Sequence, residues 1–284
     1  MTAQHSGPNL PIDVLDRFRI AGKVVIVTGG AGLLGAAHCQ ALAQAGGIVV
    51  IADIDGEAAD RIAALVRQDS DGQAVAIRTD VTDPTSVDSL VDQTLKRFGR
   101  IDILVNNAAL DPKFDPASAA SHSARFEDFP LDLWEHSLRV NVTGMFLCAQ
   151  AVAKPMLAAG RGTIVNICST YGLVGPDQRL YEREGQLPQF KPVAYSVSKA
   201  AALGLTRYLA TYFAGKGIRV NALTPGGVFA DHDEQFVKRY SAKTVLGRMA
   251  EREEISAALL FLVSEASSYM TGANLVVDGG WTAW

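Results

Sequence analysis

Val24-Val25-Ile26-Val27, followed without a break by Thr28-Gly29-Gly30-Ala31-Gly32-Leu33-Leu34-Gly35, joins a short apolar run to a glycine-rich turn. Four β-branched residues in a row suit a strand covered on both faces, as in a parallel sheet. From Leu33 to Ala45 the pattern becomes helical. A turn of small residues between strand and helix lets another group come close to the backbone. The helix N-terminus adds free N–H groups and the positive end of its dipole. Gly29, Gly32, Leu33, Leu34 and Gly35 are therefore candidate phosphate contacts, although the spacing alone would also suit a tight structural turn.

A second apolar strand, Ile48 to Ala52, ends in Asp53, eighteen residues after Gly35. In a dinucleotide fold a carboxylate at that place accepts hydrogen bonds from the adenosine ribose and repels a 2′-phosphate. Asp55 follows, and no Arg or Lys lies between residues 29 and 37. NAD is thus expected over NADP, with Asp53 and Ile54 as contacts. The alternative is that Asp53 only opens a capping turn with Asp55 and Gly56.

The alternation repeats along the chain. Strands are expected at Ala74 to Thr79, Ile101 to Val105, Thr163 to Ile167, Ile218 to Leu223 and Asn274 to Val277; helices at Ser86 to Phe98, Trp134 to Met156, Tyr195 to Ala214 and Glu253 to Val263. The expected class is α/β: a single Rossmann-type doubly wound domain over 21–284, with a seven-stranded parallel sheet flanked by helices, after an N-terminal arm over 1–20. Ligands in such sheets bind at the carboxyl ends of the strands, where the chain order reverses. Asp53, Asp80, Asn107, Ser169 and Pro225-Gly226 all fall at such ends.

In Val193-Ala194-Tyr195-Ser196-Val197-Ser198-Lys199 a tyrosine and a lysine lie four apart, and on a helix they project from one face. A nearby ammonium favours the phenolate, which makes Tyr195 a candidate acid/base at neutral pH. The same spacing recurs at Tyr212 and Lys216.

With these residues in hand, the chain from about residue 20 to 284 resembles the short-chain dehydrogenase/reductases. The resemblance rests on the glycine-rich turn, Asp80-Val81, Asn106-Asn107-Ala108-Ala109, Asn141 in Val140-Asn141-Val142-Thr143-Gly144, Ser169, Tyr195 with Lys199, Pro225-Gly226 and Val277-Asp278-Gly279-Gly280. It implies that Tyr195 is the acid/base, that Ser169 polarises the substrate oxygen, that Lys199 holds the nicotinamide ribose and tunes Tyr195, and that Asn141 binds a water of the proton relay. It further implies cofactor contacts at Val81, Ala108, Ala109 and Val228, and a homo-oligomer, tetramer or dimer. Tyr212 lies about 25 Å further along the helix and cannot share a site with Ser169 if Tyr195 does. The chain departs from the family pattern at Leu33, Ala109 and Ala230, which stand where glycine, glycine and threonine are usual.

Composition narrows the partners. With 284 residues, a formal charge of -4 and no long basic run, the chain suits neither nucleic acid nor an anionic membrane. The three cysteines, Cys39, Cys148 and Cys168, show no disulfide or metal spacing, so buried free thiols and no metal are expected. Without the pattern of a signal peptide or a membrane span, a cytoplasmic protein is expected.

Two stretches are long for the family: Asp111 to Pro130, within a loop near 110–130, and Pro176 to Pro192. The second is rich in groups that bond hydroxyls or charges, among them Arg179, Tyr181, Arg183 and Lys191. It reads as a polar lid or as a solvated surface loop. As a lid it makes Arg179 and Tyr181, with Ser169 and Tyr195, the substrate contacts, for a sugar, sugar acid, nucleotide sugar or polyol. Other readings are a 3-oxoacyl or hydroxysteroid-type reductase, or a non-catalytic dinucleotide-binding regulator.

Overall fold

The computed structural model describes residues 13–70, 73–111, 124–183 and 189–284. Seven strands, β1 (Val24–Thr28), β2 (Ile48–Asp53), β3 (Ala74–Arg78), β4 (Ile103–Asn106), β5 (Gly162–Ile167), β6 (Ile218–Pro225) and β7 (Asn274–Val277), form one parallel sheet in the order β3-β2-β1-β4-β5-β6-β7. The helices are α1 (Leu33–Gln44), α2 (Gly56–Ser70), α3 (Pro84–Phe98), α4 (Leu131–Leu138), α5 (Met145–Ala159), α6 (Val193–Tyr212), α7 (Glu234–Ser241) and α8 (Arg252–Val263).

The central strands β1 and β2 are almost wholly apolar because both faces are covered. Val25, Val27, Val49 and Ile51 pack with Leu42 of α1, Ala59 of α2 and Ile255 and Leu259 of α8. Their neighbours Val24, Ile26 and Val50 pack on the opposite side with Leu90 of α3 and Val152 and Met156 of α5. Successive strand residues point to opposite faces, so each strand feeds both layers of the core.

The expected strands and helices occur with shifted ends, and three features were not expected. The predicted helix over Trp134 to Met156 is α4 and α5 joined by a π-helical turn, Arg139–Gly144. Helices α2 and α7 fill stretches that the hydrophobic pattern leaves unassigned. The packed body begins within the presumed arm: Ile20 is fully buried, and its amide donates to the Ala45 carbonyl at 3.0 Å. The span Leu131–Ala159 is long and apolar enough to cross a bilayer, yet it serves as a core element, burying Met145, Cys148, Val152 and Met156.

The order reverses between β1 and β4. After β1 the chain steps outward through β2 and β3, then returns to β4 on the other side of β1. The crevice at the carboxyl ends of β1 and β4 is therefore where a ligand site is expected.

Candidate active site

A cavity of about 610 Å³ opens there. Every residue assigned to the cofactor from sequence lines it: Gly29, Gly32, Leu33, Leu34 and Gly35; Asp53 and Ile54; Asp80 and Val81; Asn107, Ala108 and Ala109; Tyr195 and Lys199; Pro225, Gly226 and Val228.

Gly29 sits at φ +61°, and a Cβ there would lie 2.7 Å from the Cα of Ala108; at Gly35 it would lie 2.1 Å from the Gly29 carbonyl oxygen. Neither position can carry a larger residue with the turn this tight. Helix α1 starts at Leu33, and its N-cap, Gly32, offers no side-chain acceptor. A bare helix start beside a glycine cradle fits an anionic pyrophosphate. Leu33, where the family usually has glycine, is partly exposed at the mouth. Asn107 fixes the turn: its Nδ2 donates to the carbonyls of Thr28 and Gly29, both at 3.0 Å, while Thr28 Oγ1 accepts from the amides of Asn107 and Ala108, both at 3.1 Å.

The Asp53 carboxylate accepts from the Ala31 amide at 2.9 Å through one oxygen and from the Asp55 amide at 3.1 Å through the other. Asp55 in turn caps α2, accepting from the Ala58 amide at 2.9 Å. Thus Asp53 both braces the local turn and faces the cavity. Arg78, its register partner on β3, donates to the Ile54 carbonyl at 3.2 Å and does not line the cavity.

At the other end, strand β5 delivers Ser169 and helix α6 delivers Tyr195 and Lys199. Ser169, Tyr195 and Lys199 all line the cavity, and Ser169 Oγ accepts from the Tyr171 amide at 3.2 Å. Burial pushes the phenol up from its ordinary value; the Asp111 carboxylate pushes the same way, and Ser169 opposes. Here burial outweighs the lowering expected from a neighbouring ammonium. The Lys199 ammonium donates to the Ile167 carbonyl at 3.0 Å, and burial lowers its pKa to about 8.

Two residues assigned from sequence lie outside the lining of the cavity. Asn141 does not line the cavity: its Nδ2 donates to the Leu110 carbonyl and to Ser198 Oγ, both at 3.0 Å, and its Oδ1 accepts from the Leu110 amide at 2.7 Å. With both amide hydrogens engaged, the Asn141 side chain braces the backbone after β4 at Leu110. Arg179 does not line the cavity either, because its guanidinium forms a two-pronged bond to Asp177 and is mostly exposed. Arg183 is bound to Asp233 and to the carbonyls of Leu180 and Glu182. Only part of each long loop is described: 112–123 and 184–188 lie outside the described residues.

Aromatic groups fill the place expected of the arginines. Tyr171, Tyr181, His232, Phe236 and Tyr240 line the cavity. The Tyr181 hydroxyl donates to that of Tyr171 at 3.2 Å, the His232 ring stacks on Phe236, and Tyr240 stacks on Trp281 with centroids 4.3 Å apart. Phe236 and Tyr240 ride on α7. Its signals in the sequence were Asp233, which caps the Phe236 amide, a first-turn Glu234, and Lys238 and Arg239 in the last turn. Among the described residues no group of three or more His, Cys, Asp or Glu is placed to hold a metal ion.

A family model described as Enoyl-(Acyl carrier protein) reductase matches residues 30–282. The chain is a short-chain dehydrogenase/reductase. This short-chain dehydrogenase is 37% identical over 267 residues to a cis-4-hydroxycyclohexanecarboxylate dehydrogenase of Sinomonas cyclohexanicum, covering 93% of this chain and 98% of that one. It is also 37% identical to a 3-alpha-(or 20-beta)-hydroxysteroid dehydrogenase of Mycobacterium tuberculosis, covering 93% and 91%. Its fold matches a gluconate 5-dehydrogenase from Burkholderia cenocepacia, solved with NADP and tartrate, at a TM-score of 0.82 and 32% identity, covering 96% and 100%. The protein is accordingly an oxidoreductase that acts on alcohols or ketones with a nicotinamide dinucleotide.

Proposed function

We propose that this enzyme uses NAD to oxidise a secondary alcohol on a compact, hydroxylated molecule such as a sugar acid, polyol or ring hydroxy acid, or to run the reverse reduction. The observation that carries the reading is that Ser169, Tyr195 and Lys199 line one cavity together with aromatic faces and phenol groups. Such faces cover the carbon skeleton of a ring, and their hydroxyls meet its polar edge. The bound nicotinamide supplies the acceptor or donor of hydride. Tyr195 takes the carbinol proton in oxidation and returns it in reduction, Ser169 donates to the substrate oxygen, and Lys199 keeps a positive charge beneath the phenol. Asn141 acts indirectly, by holding Leu110 and thereby the loop over the site. We further infer a cytoplasmic homo-oligomer.

A panel containing polyols, sugar acids, 4-hydroxycyclohexanecarboxylates and hydroxysteroids, followed by the absorbance of reduced nicotinamide, tests this. Turnover of a polyol or hydroxy acid is expected, with kcat lowered about 10² to 10⁴-fold in Tyr195→Phe. Efficient turnover of steroids alone refutes the substrate class.

A further inference from the structure

At the substrate end of the cavity Lys191 stands apart. Its side chain is 12% exposed, and its ammonium lies 4.2 Å from the ring centroid of Tyr195 and 6.0 Å from that of Tyr171. Lys191 and Lys199 are the only lysines or arginines among the described residues lining the cavity, and the Lys199 ammonium is directed to the Ile167 carbonyl. The Lys191 backbone is pinned: Gln178 Oε1 accepts from its amide at 2.8 Å, and Gln178 Nε2 donates to its carbonyl at 3.4 Å. The ammonium pairs with Asp111, which also lines the cavity and whose side chain is 49% exposed. The preceding residue, Leu110, is held at both its amide and its carbonyl by Asn141. A nearly buried cation on a pinned backbone therefore faces a carboxylate that water can reach.

We infer that Lys191 anchors an anionic group, specifically a carboxylate, on the substrate, and that Asp111 holds that position when no such substrate is present. The inference rests on the dehydrogenase reading above and deepens it. Exchange of one carboxylate for another leaves the charge beside Lys191 balanced, so the ammonium is never stranded without a counter-ion. The position next to Tyr195 puts the anchor within one small ring of the reacting carbinol. A hydroxy acid of that size is selected over its neutral relatives.

Reduction of 4-oxocyclohexanecarboxylate and of 4-oxocyclohexanecarboxamide with NADH separates charge from shape. The ratio of their kcat/KM values, acid over amide, is expected to fall about ten- to a hundredfold in Lys191→Gln, the usual worth of a hydrogen bond to a charged group, and to be largely kept in Lys191→Arg. If Lys191 only ties the two loops together, both substrates suffer alike and the ratio stays put, which overturns the proposal. Should the unmutated enzyme reduce neither ketone, the functional reading fails for this ring while the anchor is still judged by binding. Cyclohexanecarboxylate is then expected to raise Tm in the presence of NADH, cyclohexanecarboxamide is not, and Lys191→Gln removes the difference. Equal shifts from acid and amide overturn the anchor.

Discussion

Asp53 has two duties that a substitution separates. Its oxygens accept from the Ala31 and Asp55 amides, and the same carboxylate faces the end of the cavity where an adenosine ribose is expected. A 2′-phosphate placed there meets a negative charge with no paired cation lining that end. We expect NAD to exceed NADP in kcat/KM by at least about tenfold, or ~1.4 kcal/mol. Asp53→Ala is expected to narrow the gap, since it removes both the acceptor for the ribose of NAD and the charge that repels a 2′-phosphate, while losing the brace affects both cofactors alike. Steady-state kinetics with both dinucleotides check this, and a preference for NADP in the unmutated enzyme would count against it. Arg78 is the residue to watch, because its guanidinium needs only to release the Ile54 carbonyl to reach the neighbourhood of Asp53.

At the scale of elements, helices α1 and α8 meet around a buried histidine. His38 Nδ1 bonds Ser256 Oγ at 2.9 Å, its Nε2 has no partner, and burial lowers its pKa to about 4. The folded form thus resists a proton that the unfolded chain accepts below its ordinary value of 6.5. Stability is full above pH 6.5 and declines as pH falls toward 4, by up to ~3 kcal/mol from this group. Urea melts at pH 7 and pH 5 are expected to show a smaller acid loss in His38→Gln than in the unmutated protein.

The same scale shows what the sequence could reveal. The sheet was legible because most strands are short apolar runs like Val24 to Val27, and the cavity lining because Gly29, Asp53 and Asn107 each follow or end such a run. The far wall was not, because it is made of side chains brought together from 171–181, 230–249 and 281, with no shared period. Arg179 misled for a related reason: a charged residue in a loop beside a site is as well served by a neighbour two positions away, here Asp177, as by a ligand. The π turn at Arg139–Gly144 left no mark, since its residues suit an ordinary helix equally well.

For the whole molecule, one face remains incompletely covered. Val197, Tyr208 and Tyr212 of α6 are exposed, the two tyrosine rings stack on each other, and Gly204, one turn before Tyr208, opens onto empty space. On α5, Phe146 and Leu157 are exposed as well. Tyr212 is therefore a surface residue, outside the cavity that Tyr195 lines. An apolar stripe of this kind suits contact with a second copy of the chain. Light scattering is expected to report a dimer or tetramer, and Tyr208→Glu with Tyr212→Glu to lower that mass; an unmutated monomer at micromolar concentration would contradict it.

The stacking of Tyr240 on Trp281, and of His232 on Phe236, has a consequence for descent. The turn and strand ends from Gly29 to Ala109 are encoded before residue 110, whereas the aromatic wall comes after residue 170. Substitutions in the wall leave Gly29, Gly35, Asp53 and Asn107 undisturbed. A lineage carrying this architecture can drift from one alcohol to another, generation by generation, without ever passing through an ancestor that has lost its coenzyme.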